Sequence, residues 1–130
     1  KDLKMKTYQQ LTDHLKTIEK HEIHDSASQS YITFVHEFMD SLNEFCSKHQ
    51  NAFDGQFYNI LLENNISWDI KDMSNTDVTS LDEKVILALI LGATKDVSFY
   101  EGALLPYIEN RSLERWLRRL EYFDSFSATN

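Results

Sequence analysis

Apolar residues recur along most of this chain at intervals of three and four, the period of helices that bury one side. Tyr8, Leu11, Leu15 and Ile18 form the first stripe and predict an amphipathic helix over residues 7–20. Tyr31, Phe34, Val35, Phe38, Leu42, Phe45 and Cys46 form the second, over residues 30–48. Asp25-Ser26-Ala27-Ser28 ahead of it reads as a turn with cap candidates. Phe53, Phe57, Ile60 and Leu61 predict a third helix. Gly55 weakens that helix by about 1 kcal/mol relative to alanine. Asn64-Asn65 marks its stop, because asparagine tolerates a left-handed backbone. Ile66 to Ile70 alternates apolar and polar, but a lone short strand has nothing to pair with. The segment therefore reads as an extended connector whose Trp68 docks into the core, followed by a polar loop over residues 72–79.

The pattern changes in residues 81–120, around which the rest of the chain is organised. Residues 85–91 are apolar without interruption, which predicts a helix buried on most of its circumference. Ser80-Leu81-Asp82-Glu83 before it has the spacing of a capping box, in which the Ser80 hydroxyl accepts from the Glu83 N–H. Ser98-Phe99-Tyr100-Glu101 repeats that spacing. The short helix it starts should bend or break at Pro106, which lacks an N–H. Ser112 is the expected cap of a final helix running to about Tyr122. On that helix Leu113, Trp116, Leu117, Leu120 and Phe123 share one face, opposite Arg115, Arg118, Arg119 and Tyr122.

Together these elements predict an all-α fold: a single domain over residues 1–130, with five to seven helices bundled around the central apolar one. Residues 1–6 and 125–130 are expected to fray. Three glycines and one proline in 130 residues argue against a turn-rich β fold. No apolar run reaches the ~18 residues of a membrane span. The polar start lacks a signal-peptide core, and Cys46 is the only cysteine, so a cytoplasmic protein is expected.

Charge adds an asymmetry. Residues 25–110 hold fourteen acids against four lysines, while all four arginines fall in residues 111–130. An acidic middle repels phosphate backbones, so direct nucleic-acid binding is not expected. It suits a basic protein surface, or simply solubility.

The C-terminal third resembles a family of small bacterial proteins catalogued as domain of unknown function number 6508. The matching residues are 87–91, Phe99, Glu101-Gly102, Leu105, Ile108-Glu109 and Leu117-Arg118-Arg119-Leu120. Ser98 stands where that pattern has arginine, and Arg111 where it has glycine. The resemblance implies an all-α fold and brings no activity, cofactor or catalytic residue.

Candidate chemistry is sparse. Arg111, Arg115, Arg118, Arg119 and Tyr122 are the candidate partner-binding residues, since guanidinium forks grip carboxylates or phosphates and stack on rings. The competing reading is that these arginines bridge to acids of the same chain. His36 and Asp40, one turn apart, have the spacing of a His–carboxylate pair. Glu101, beside Gly102, is a further candidate for a cleft. His21 and His24, with His14 earlier, make an incomplete metal set, so no metal and no cofactor is expected. No phosphate loop, nucleophile motif or zinc pattern is present, and no catalytic residue is assigned.

The expected function is a non-catalytic protein–protein interaction module, using the arginine face or the acidic middle. One alternative is an acidic mimic of nucleic acid that inhibits a defence nuclease on behalf of a phage or mobile element. A second is an enzyme of unknown class using His36, Asp40 or Glu101. A homodimer is compatible with so aromatic a domain.

Overall fold

The computed structural model describes residues 7–20, 28–49 and 56–127. It is all-α, and among the described residues there is no strand. In chain order the helices are α1 (Gln9–Thr12), α2 (Leu15–Glu19), α3 (Gln29–Lys48), α4 (Phe57–Glu63), α5 (Ile70–Ser74), α6 (Glu83–Thr94), α7 (Leu105–Glu109) and α8 (Ser112–Ser127). Two 3₁₀ turns, η1 (Val78–Ser80) and η2 (Glu101–Leu104), precede α6 and α7. Among the described residues no helix is long and apolar enough to cross a membrane.

α6 is the centre. Val85 to Ile90 are six consecutive buried residues, as expected from the uninterrupted apolar run. A helix covered on every side needs neighbours on every side. α4 and α8 pack against it, and η2 adds a further contact. Thr94 is buried near its end, where its hydroxyl donates to the Ile90 carbonyl at 2.9 Å. That satisfies a polar group that is costly to bury bare.

α8 presents Leu113, Trp116, Leu117 and Leu120 to this core, all fully buried. The expected stripe is therefore correct. The helix also continues through Ser127, so residues 125–127 are helical rather than frayed. α3 buries Tyr31, Phe34, Val35, Phe38, Leu42 and Phe45, with Phe34 stacked on Phe38 at 5.6 Å. Ser28 caps it, accepting from the Tyr31 N–H at 3.1 Å. Phe53 and Gly55 lie outside the described residues, as do residues 1–6, 21–27 and 128–130.

The first stripe is real but is carried by two short helices, not one. Tyr8, Leu11, Leu15 and Ile18 are all buried. The helix breaks at Asp13-His14, where the His14 ring turns onto α3. It lies edge-on to Phe38 at 5.3 Å, with Nε2 2.9 Å from the Ser41 hydroxyl. Tyr8 then fastens this segment across the molecule. Its N–H donates to Asp124 of α8 at 2.9 Å, and its hydroxyl donates to Glu83 at the start of α6.

Local cap signals are misplaced by a residue or two. α6 is capped by Asp82, which accepts from the Val85 N–H at 3.1 Å. Ser80 belongs to η1 instead, and its hydroxyl donates to the Asp77 carbonyl. Ser112 is buried inside α8; Asn110 accepts its N–H at 2.9 Å, across a left-handed Arg111. The expected loop over residues 72–79 contains the end of α5 and most of η1, because Asp69 caps α5 through the Asp72 N–H at 2.7 Å. At Pro106 the chain does change, from the 3₁₀ turn η2 to α7, with proline in the first helical turn where its missing N–H costs nothing.

Two outcomes follow for stability. Leu89→Ala, which empties a fully buried position of α6, should cost about 2–5 kcal/mol in chemical denaturation; a cost under about 1 kcal/mol would contradict the central placement of α6. Burial lowers the His14 pKa below its ordinary 6.5, against the opposing pull of Glu37 and Asp13. As pH falls through that ordinary value the unfolded chain takes up a proton that the folded chain resists, so folding loses stability. The fall in Tm between about pH 7 and pH 5 should be shallower in His14→Gln than in the unsubstituted protein. Parallel Tm profiles would count against a buried, neutral His14.

Candidate functional site

The arginine face is bonded largely to the chain that carries it. Arg115 is half-buried and donates to the Ser74 carbonyl, the last residue of α5, and to the Asn110 carbonyl. Carbonyls at helix ends lack intrahelical donors, so a guanidinium there satisfies a real need. Arg118 pairs with Glu114 at 3.0 Å and with Glu19 of α2 at 2.5 Å. The Glu114 hydrogen bond, foremost, holds its pKa above the ordinary arginine value. Arg119 donates to the Thr79 carbonyl of η1 at 3.2 Å and lies over the Tyr122 ring at 4.3 Å. These three side chains tie α8 to α5, α2 and η1. Arg111 differs: it is exposed, sits at φ 66° and has no ion-pair partner among the described residues. Tyr122 is exposed and meets the Phe126 ring edge-on at 4.7 Å.

His36 does meet a carboxylate, but not Asp40. Its Nε2 lies 2.7 Å from Glu101 of η2, with both side chains at least half exposed. Tyr31 donates to the Glu101 carbonyl as well, so α3 holds η2 by two side chains. This occupies Glu101 as a tie and replaces its expected role in a capping box; the N-cap position of η2 is Tyr100, with no side-chain cap bond. His21 and His24 lie outside the described residues. Among those described, no group of three or more His, Cys, Asp or Glu side chains is placed to hold a metal ion.

A second face was not foreseen. α4 ends in a left-handed Asn65, with the Ile66 N–H on Leu61 O at 2.9 Å and the Asn65 N–H on Leu62 O at 3.0 Å. This paired closure turns the chain sharply and buries Ile66. Trp68, expected in the core, is thereby left at the surface with 40% of it exposed. Its ring is nonetheless fixed: the indole N–H donates to the Gly92 carbonyl of α6 at 2.9 Å, and Phe57 meets it edge-on at 5.3 Å.

Trp68 forms one wall of an open cleft of about 440 Å³. Tyr100, 66% exposed, forms another, and Tyr107 lines it from α7. Each of the two exposed walls rests on a glycine. A Cβ on Gly92 would meet the Trp68 ring at 3.4 Å and the Met73 methyl at 3.0 Å. A Cβ on Gly102 would sit 2.6 Å from the end of the Tyr100 ring. Asp69 and Asp96 are the charged residues of the lining. Their effect is felt at Tyr107, whose phenol is pushed up to about 12, first by burial and then by Asp69 and Asp96. Ile70, 47% exposed, extends the apolar lining, and Phe99, 88% exposed, directly precedes Tyr100 in the chain.

Sequence reasoning passed over Asp69, Asp96 and Tyr100 and misplaced Trp68. A signal was present in Gly92 and Gly102, two of only three glycines, each in an apolar helical stretch where alanine is the better helix former. Comparison of this chain with family models, with curated proteins and with solved structures returns no match.

The arginine bonds make an expectation for stability. Arg115→Ala leaves the Ser74 carbonyl without its donor and should cost about 1–2 kcal/mol in urea denaturation. Arg118→Ala leaves the buried Glu114 carboxylate without its cation and should cost about 1–3 kcal/mol. Equal, negligible costs would show that the arginine face is available for a partner.

Proposed function

We propose that this protein is a non-catalytic protein-interaction module that engages its partner through the Trp68–Tyr100 face. One observation carries the reading: large aromatic side chains are held in the open, around a cleft, on backbone positions stripped of side chain to seat them. Scattered exposed apolar residues need no explanation, but a rimmed group of them marks a contact surface. Trp and Tyr are the residues that dominate binding energy at protein interfaces.

The arginine face is the less supported surface, since Arg115, Arg118 and Arg119 already have partners within the chain. Arg111 and Tyr122 remain accessible and give that face its remaining claim. The acidic-mimic reading needs carboxylates free to imitate a row of phosphates. Many are engaged instead: Asp77 and Asp82 as caps, Glu19 and Glu114 on Arg118, Glu83 on Tyr8, Glu101 on His36. An enzymatic reading finds its best pair, His36 and Glu101, facing solvent. The likeness of the C-terminal third to a bacterial family adds no site. A cytoplasmic setting belongs to the same proposal and rests on Cys46, a partly buried thiol whose pKa burial raises, leaving it little reactive thiolate.

Affinity capture followed by mass spectrometry tests the choice of face. Phe99→Ser/Tyr100→Ser should lose a protein that both the unsubstituted chain and Arg111→Ala/Tyr122→Ser retain. Loss with the second variant alone would move the site to the arginine face, and equal retention by all three would overturn both assignments.

A further inference from the structure

The cleft has an uneven chemistry: aromatic walls, two carboxylates and no positive charge. Asp96 follows α6, and its side chain has no hydrogen-bond or ion-pair partner among the described residues, although its carbonyl accepts the Phe99 and Tyr100 N–H groups at 3.0 and 2.9 Å. Asp69 spends one oxygen on capping α5 and keeps the other free. No lysine or arginine lines the cleft. The Trp68 ring is pinned by its N–H, and the Tyr100 ring lies across Gly102. Trp68, Tyr100, Asp69 and Asp96 therefore line the same opening.

Resting on the interaction-module reading, we infer that this cleft seats an arginine side chain of a basic peptide segment in the partner protein. A neutral apolar group would desolvate Asp96 with nothing to compensate it, and an anion would be repelled by both carboxylates. A cation gains from both features at once, since ring faces attract positive charge and the carboxylates neutralise it. Arginine fits better than lysine. Its planar guanidinium stacks on a ring while its edge donates to a carboxylate, and it is less strongly hydrated. The volume of about 440 Å³ lies within the range of small-ligand sites and takes a side chain rather than a helix. The acidic excess of residues 25–110 favours a basic segment around that arginine.

The test titrates a synthetic nine-residue Gly/Ser peptide bearing three arginines into the full chain. Its lysine and citrulline counterparts serve as controls, and ¹H–¹⁵N spectra report the site. The expected result is saturable binding of the arginine peptide, with shifts centred on the Trp68 indole N–H, Gly92 and Gly102. Lysine should bind several-fold more weakly and citrulline not at all. Asp96→Asn should weaken binding about tenfold. Gly102→Ala, which displaces only the flexible end of the Tyr100 ring, should weaken it with the Tm unchanged. Equal affinity for arginine and citrulline, shifts spread over the whole acidic surface, or insensitivity to Asp96→Asn would overturn the inference. So would a concentration-dependent dimer in sedimentation that Tyr100→Ser abolishes, since the cleft would then be covered by a second copy of the chain. A partner lost with Phe99→Ser/Tyr100→Ser while the arginine peptide fails to bind would sink the arginine seat alone and leave the interaction face standing.

Discussion

A helix with no polar side chain over six successive positions has nowhere to stand but inside. Val85 to Ile90 impose that constraint, and the rest of the molecule can be read as the cover they require. α4 and α8 supply the flanks, and α3 closes the bundle through α1 and η2. Polar duties are pushed to the two ends of α6, where Asp82 caps the first turn and Thr94 bonds back to Ile90. The cleft arises at the second of those ends. There Gly92 leaves room for the connector from α4 to cross closely, and the indole of Trp68 takes up one of the last helix carbonyls. The exposed face is thus a by-product of how the buried helix finishes.

The parts of this fold that were legible in the sequence are those decided by periodicity. Leu113, Trp116, Leu117 and Leu120 can only be one face of one helix, and they are. Asn65 announced its own left-handed turn. Caps were harder, because the Ser-x-x-Glu spacing at Ser80 and Ser98 fits a capping box, yet Asp82 caps α6 and Tyr100 stands at the start of η2 with no side-chain cap, as the turn of the chain in space selects. Trp68 was misread for a related reason. Its hydrophobicity argues for the core, but the closure at Asn65 spends the inward position on Ile66 and leaves the ring at the rim. The cleft itself joins α5, α6, η2 and α7, and no local pattern encodes that meeting.

The arginines show how one sequence feature supports opposite readings. A cationic strip on a helix suggests a grip on something else. Here the guanidiniums reach a helix-end carbonyl, a 3₁₀ carbonyl and a neighbouring glutamate, groups that would otherwise rely on water alone. Their charges help join the short segments α2, α5 and η1 to α8. Segments of three to five residues are not stable helices in isolation, so such cross-ties matter more to them than to α3.

The bond from the Tyr8 N–H to Asp124 spans 116 positions of the chain, and α1 and α2 both lie against α8. During synthesis the earliest part of the domain must therefore wait for its latest part to leave the ribosome. Until then Leu11, Leu15 and Ile18 lack the cover that α8 gives α1 and α2. Contacts of that range slow folding and leave greasy surface open to chaperones and to other nascent chains. The vulnerable moment for this domain falls just before α8 emerges.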